Sequence, residues 1–240
     1  MKKVSLYLVL GTSLMYSQWF NIDQAGVTRS YYISYPNDAI DPTPLIINMH
    51  GFGSNEGDLH SFANYLPEKY TVVSIRAPYT LPTGGYAWYN INFDNDMNKF
   101  NDHNQAKNSI KLIMKFLDEL IEKYSIESND ISLLGFSQGT ILSYALGLNF
   151  PERFKKIIGF SGYIDESMVF TNTNNLDYSN LKVYISHGTQ DPVIPVDWAR
   201  KSIEILKKEK INHNYKEFVS GHTISPDNFY DFKSWLDTSN

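Results

Sequence analysis

The 240-residue chain is 42% hydrophobic and 20% charged, which suits one well-buried core and excludes wholesale disorder. A formal charge of −5, with no long Lys/Arg run, disfavours nucleic-acid binding. The absence of cysteine removes disulfides, zinc-thiolate sites and cysteine nucleophiles together.

Lys2 and Lys3, the mostly apolar Val4–Tyr16 and the polar Ser17-Gln18 have the layout of a secretory signal peptide cut after Ser17. That reading makes residues 1–17 a leader and places the protein outside the cell or in the periplasm. The alternative is a cytoplasmic chain whose start is a first strand, since Val4, Leu6 and Leu8 alternate with less apolar neighbours. The apolar stretch is too short for a membrane span.

Val27–Tyr35 then reads as a strand rich in β-branched and aromatic residues, stopped at Pro36. Leu45–Met49 and Thr71–Ile75 are continuous apolar runs, as buried strands are. Gln105–Tyr124 is the clearest helix, with Ile110, Ile113, Leu117, Leu120, Ile121 and Tyr124 on one face. Strand Ile131–Leu134, helix Gln138–Leu148, strand Lys156–Phe160 and strand Leu181–Ser186 follow. Helix Pro195–Lys208 offers Trp198, Ile203 and Leu206 for burial, strand Tyr215–Val219 comes next, and helix Pro226–Leu236 closes the chain. Strands alternating with helices predict a mostly parallel central sheet with helices on both faces, as one α/β domain over 18–240. Reactive groups in such sheets gather at the carboxyl ends of the strands.

Three motifs fall at such ends. Gly135-Phe136-Ser137-Gln138-Gly139 matches G-x-S-x-G between a strand and a helix, a sharp turn that exposes a serine hydroxyl at a helix N-terminus. Ser161 also ends a strand, but Tyr163 stands where the second glycine is needed. Asp191 lies in the loop after Leu181–Ser186, and His222 in the loop after Tyr215–Val219. The order Ser137, Asp191, His222 is that of an α/β-hydrolase, with His222 as general base and Asp191 orienting it. Asp165 is the reserve acid. The plainer roles are a turn residue for Asp191 and a helix-capping loop histidine for His222. His50-Gly51-Phe52-Gly53 follows Leu45–Met49, so the backbone N–H groups of Phe52 and Gln138 are the expected oxyanion donors, with His50 holding the loop. Neither a metal nor a cofactor is expected: none of the six histidines sits in H-E-x-x-H, and no Asp/Glu/His cluster has ligand spacing.

His50–Ser54, Gly135–Gly139, His187–Pro195 and Gly221–Pro226 together resemble the small carboxylesterase/phospholipase family that includes acyl-protein thioesterases. The likeness spans about Pro44 to Leu236, with Ala87-Trp88-Tyr89 similar to the family's aromatic segment. Thr140 departs from it, standing where the family has another small residue. The leader and Gly26–Tyr32 look more like exported polyhydroxybutyrate-depolymerase and feruloyl-type esterases. The resemblance implies a serine carboxylesterase acting on small-molecule esters of short to medium acyl length, as monomer or homodimer. A thioesterase or peptidase with the same three residues stays open, as does a non-catalytic binding protein on the same fold. In the loop Ala77–Phe100, Tyr79, Tyr86, Trp88, Tyr89 and Phe93 offer an apolar groove. Trp88, Tyr89 and Tyr86 are therefore the candidate substrate contacts, the alternative being that these rings pack under the loop.

Overall fold

The computed structural model describes residues 15–20, 29–34, 41–93, 99–169 and 176–239. An eight-stranded sheet runs through the molecule. Its strands are β1 (Met15–Phe20), β2 (Arg29–Ser34), β3 (Thr43–Met49), β4 (Thr71–Ile75), β9 (Ile126–Phe136), β10 (Lys156–Phe160), β11 (Lys182–Gly188) and β12 (Asn212–Phe218), in the order β1-β2-β4-β3-β9-β10-β11-β12. β1 and β2 pair antiparallel with each other, and β2 pairs antiparallel with β4; every other pairing is parallel. Two hairpins, β5–β6 (Tyr79–Thr80 with Tyr86–Ala87) and β7–β8 (Ile91–Phe93 with Lys99–Asn101), decorate the long loop after β4.

The register explains the two-sided core. Ile47, Leu133, Ile157 and Val183 lie side by side across β3, β9, β10 and β11, and face helices α1 (His103–Lys123), α2 (Gln138–Asn149) and α3 (Val196–Lys208). Ile46, Leu134, Ile158 and Tyr184 point the other way, toward α4 (Pro226–Thr238) and the 3-10 turn Leu59–Tyr65. Strands buried on both faces read as unbroken apolar runs.

α1 starts at His103, where the Asp102 carboxylate accepts from the N–H groups of Asn104 and Gln105 (3.1 and 3.0 Å). It buries Ile110, Ile113, Leu117 and Leu120. Each is worth about 1.5–3 kcal/mol, far above the few tenths from its surface pair Lys115–Glu119. All twelve residues of α2 are buried, which is why its sequence carries no charge. Trp198, expected to be buried, is 38% exposed, because it sits on the rim of α3 and packs edge-to-face on Tyr163 (centroids 4.8 Å apart).

The chain start bears on the leader. Residues 1–14 lie outside the described residues, whereas a cut after Ser17 would divide β1, whose six residues pair with Ser34 back to Arg29. No helix among the described residues is long and apolar enough to cross a membrane.

Candidate active site

The carboxyl ends of β9, β11 and β12 converge on one point. Beyond β9, Ser137 takes φ 53° and ψ −117°, a conformation costing a non-glycine residue about 1–3 kcal/mol. It is held there from both sides: its N–H donates to the Phe160 carbonyl (2.9 Å), and its carbonyl accepts the first turn of α2 from Ile141 (3.1 Å). The Ser137 side chain makes no capping bond to α2. Its hydroxyl instead lies 2.9 Å from His222 Nε2.

The glycines around it answer to contact. A Cβ on Gly139 would lie 2.0 Å from the Met49 carbonyl oxygen and 2.7 Å from that of His50, both backbone atoms. The helix can approach β3 only without that carbon. Gly139→Ala is expected to cost at least about 3 kcal/mol, the upper end for overpacking, and so to lower Tm by roughly 6–12 °C in a thermal melt. An unchanged Tm would contradict the close approach. Thr140, the departure from the family pattern, is accommodated by β10: its hydroxyl donates to the Phe160 carbonyl (2.8 Å) and accepts from the Phe160 N–H (3.0 Å).

His222 Nδ1 lies 2.6 Å from Asp191 Oδ2, so Nδ1 carries the proton and Nε2 is the acceptor facing Ser137. Asp191 is itself fixed. Its Oδ1 accepts from the N–H groups of Val193 and Ile194 (2.8 and 2.9 Å), and its side chain is wholly buried. His187, given no role of its own by the sequence, is buried beside it, with Nε2 at 2.8 Å from the Ile194 carbonyl and 3.3 Å from Asp191 Oδ2. The Phe136 ring flanks His222 at 4.9 Å. The reserve acid Asp165 is engaged elsewhere, accepting from Asn101 Nδ2 (2.9 Å) and the Ser167 N–H (3.1 Å).

Ser161 shares the positive φ of Ser137, at 50°, but is fully buried, and no imidazole bonds its hydroxyl among the described residues.

The loop after β3 passes against Ser137: a Cβ on Gly51 would lie 3.4 Å from that of Ser137. His50 organises this loop. Its Nε2 accepts from the Ala77 N–H (3.1 Å), which puts the ring proton on Nδ1, donating to the Gly51 carbonyl (2.7 Å). Burial pushes the His50 pKa down, keeping the ring neutral as this arrangement needs. Among the described residues nothing accepts from the Phe52 N–H. Gln138, the first residue of α2, has no intrahelical acceptor for its N–H either. Glu56, 3% exposed, braces the far side of the loop through Arg76 (Nε to Oε2 2.7 Å), whose guanidinium lies 4.4 Å from the Tyr86 ring centroid. A lone Glu just past HGFG and a lone Arg ending an apolar strand were the available signs of this pair.

The aromatic groove needs correction. Trp88 and Tyr89 are 1% and 0% exposed and belong to the core, so neither ring is placed to touch substrate. The reason is polar as much as apolar: the Trp88 indole N–H is drawn inward to the His50 carbonyl (2.8 Å). Tyr86 is half-buried under Arg76, and the side chain of Phe93 lies outside the described residues.

A hydroxyl, an imidazole and a carboxylate in series at the strand ends of this mostly parallel sheet are the arrangement of a serine hydrolase of the α/β-hydrolase class. The chain belongs to the phospholipase/carboxylesterase family, whose profile matches residues 35–240. Acyl-protein thioesterase 1 of Mycosarcoma maydis is 23% identical over 224 residues, covering 84% of this chain and 93% of its own. That of Saccharomyces cerevisiae is 25% identical over 210 residues, covering 81% and 92%. Among solved structures, the carboxylesterase of Bacillus cereus superposes with a TM-score of 0.76 at 20% identity, over 90% of this chain and 96% of that one. Acyl-protein thioesterase 2 of Zea mays superposes with 0.71 at 19% identity, over 87% and 97%.

Proposed function

We propose that the protein is a serine carboxylesterase that hydrolyses short- to medium-chain carboxylic esters through an acyl-enzyme on Ser137. The observation that carries this is the hydrogen-bonded series Ser137 Oγ, His222, Asp191, with the serine hydroxyl free of any capping duty. His222 Nε2 takes the Ser137 proton as Oγ attacks the ester carbonyl carbon, and the carbonyl π electrons move onto its oxygen. The oxyanion is received by the N–H groups of Phe52 and Gln138, and the positive end of α2 adds to the field there. Collapse of this intermediate breaks the C–O bond, and the imidazolium returns its proton to the departing alcohol. Water, deprotonated by the same imidazole, then releases the acid and regenerates Ser137. Asp191 keeps the proton on Nδ1 and stabilises the imidazolium without accepting the proton.

The preference for shorter acyl groups rests on what covers the site. The described part of the connection from β10 to β11 holds only the helical turn Glu166–Met168, too little for a cap that would enclose a long chain. Phe52, Val193 and Val219, all close in sequence to the proposed site residues, are exposed apolar side chains. In this reading they are the apolar surface on which a short acyl group rests. The basic start and apolar stretch Lys2–Tyr16 support export as part of the same reading, in which removal after Ser17 takes Met15–Ser17 out of β1.

Thioester hydrolysis is the second reading, favoured by the names of the curated relatives. Hydrolysis of p-nitrophenyl esters from acetyl to palmitoyl, run beside the matching acyl thioesters, separates the two. The expected result is a kcat/KM for oxyesters that falls as the acyl chain lengthens. A kcat/KM that rises with chain length and favours thioesters would replace carboxylesterase with thioesterase.

A further inference from the structure

The two proposed oxyanion donors sit on different elements, each just past the end of its strand, where the β3–β9 ladder no longer sets their separation. One short segment bridges them. On the side of Phe52, the Trp88 indole N–H donates to the His50 carbonyl (2.8 Å), the Gly53 N–H donates to the Tyr86 carbonyl (2.9 Å), and the Tyr86 N–H donates to the Ser54 carbonyl (2.9 Å). These three bonds flank Phe52 before and after. On the side of Gln138, the Trp88 N–H donates to Gln138 Oε1 (2.9 Å), and Gln138 Nε2 donates to the Tyr89 carbonyl (2.7 Å).

We propose that Tyr86–Tyr89 is a strap that fixes the spacing of the two oxyanion donors, with the side chains of Gln138 and Trp88 as its positioning residues. The inference rests on the assignment of the Phe52 and Gln138 N–H groups as those donors.

Several features make the strap stiff. The Trp88 and Tyr89 rings are 1% and 0% exposed, and Gln138 is 2% exposed, so the indole bond and the two bonds of the Gln138 amide are shielded from bulk water. α1 holds the strap from behind, through the Ser109 hydroxyl donating to the Trp88 carbonyl and Gln105 Oε1 accepting from the Asn90 N–H. Gly85 lets the strap close on the loop: at φ 76°, any Cβ there would lie 2.0 Å from the Gly53 carbonyl oxygen. His50, ring to ring with Trp88 at 5.3 Å, completes the arrangement. In a trans peptide the C=O and the following N–H point in opposite directions. By holding the Gly51 carbonyl toward itself, His50 turns the Phe52 N–H away, out of the loop.

The chemistry of Gln138 is specific. Its amide meets a donor with its oxygen and an acceptor with its nitrogen, so both ends are used and the amide has one orientation. A carboxylate would set an oxygen against the Tyr89 carbonyl, and a thioether would leave both backbone groups buried without partners.

The test uses Gln138→Met, which removes both clasp bonds, and Trp88→Phe, which keeps a buried ring but removes the indole N–H. Each is compared with the wild type for kcat and KM on p-nitrophenyl butyrate, and for inhibition by phenylboronic acid, whose tetrahedral adduct with a serine hydroxyl mimics the intermediate. Deleting an oxyanion donor outright costs about 10²–10³ in kcat, so loosening one is expected to cost about 10–100-fold. That loss should appear equally in boronate affinity, with KM within about twofold. Folded variants whose kcat and boronate affinity stay within twofold of wild type would overturn the strap. So would a kcat loss without a matching loss of boronate affinity. Failure of the underlying reading looks different: a folded wild type that neither hydrolyses the ester nor binds the boronate.

Discussion

Ser137→Ala is expected to leave a folded protein whose kcat on p-nitrophenyl butyrate is lower by about a million-fold, the scale seen when the nucleophile of a serine hydrolase is removed. The fold should tolerate the change. Alanine meets the same strain at φ 53° as serine does, and no helix cap is lost, because the Ser137 hydroxyl caps nothing. What disappears is one hydrogen bond to His222, worth about 1 kcal/mol. A Tm shift of only a few degrees should therefore accompany the loss of activity. A variant that retains ester turnover would remove Ser137 from the mechanism. A wild type as inactive as the variant would support the binding-protein reading of the fold.

Asp191→Asn is expected to lower kcat by about 10⁴-fold, as in other serine hydrolases that lose the tautomer-setting carboxylate. The geometry dictates why. The backbone N–H groups of Val193 and Ile194 both point at Oδ1, so the amide of the variant must put its oxygen there and its NH2 toward His222. Facing a donor, His222 Nδ1 must become the acceptor, and the ring proton moves to Nε2. That nitrogen lies 2.9 Å from the Ser137 hydroxyl and could then no longer take its proton. KM should change little. A kcat within tenfold of wild type would mean that Asp191 only shapes its loop.

The architecture was readable because the buried strands are unbroken apolar runs. Thr71–Ile75 and Lys156–Phe160 fall within the limits expected, and β3 and β9 run beyond theirs through Thr43-Pro44, Ile126–Asp130 and Gly135-Phe136, where polar residues, proline or glycine interrupt the apolar run. β12 starts three residues earlier than expected, at Asn212, because an edge strand that is largely exposed has no apolar signature over Asn212-His213-Asn214. The turn Leu59–Tyr65 was missed for the same reason as most short helices: seven residues are too few to show a period.

At the site, residues whose chemistry acts through their own side chains stood out: Ser137, Asp191 and His222 each follow a strand in the order this fold uses. Residues whose importance lies in what they hold did not. Trp88 and Tyr89 read as groove aromatics because a tryptophan in a loop looks the same whether its ring faces solvent or the core. Only the partner of the indole N–H, the His50 carbonyl 38 residues earlier, decides between the two. Gln138 was singled out for its backbone, while its side chain clasps a segment 49–50 residues away in sequence. His187 shares a hexapeptide with Asp191, yet its place behind that carboxylate depends on the turn that brings Ile194 back to it.

The most direct test of the account is to treat the folded enzyme with an alkyl fluorophosphonate and locate the adduct by peptide mass spectrometry. The account predicts one phosphonyl group on Ser137, formed in step with loss of ester hydrolysis and absent from His222→Ala. Labelling at another residue such as Ser161, or full inactivation with Ser137 unmodified, would contradict it.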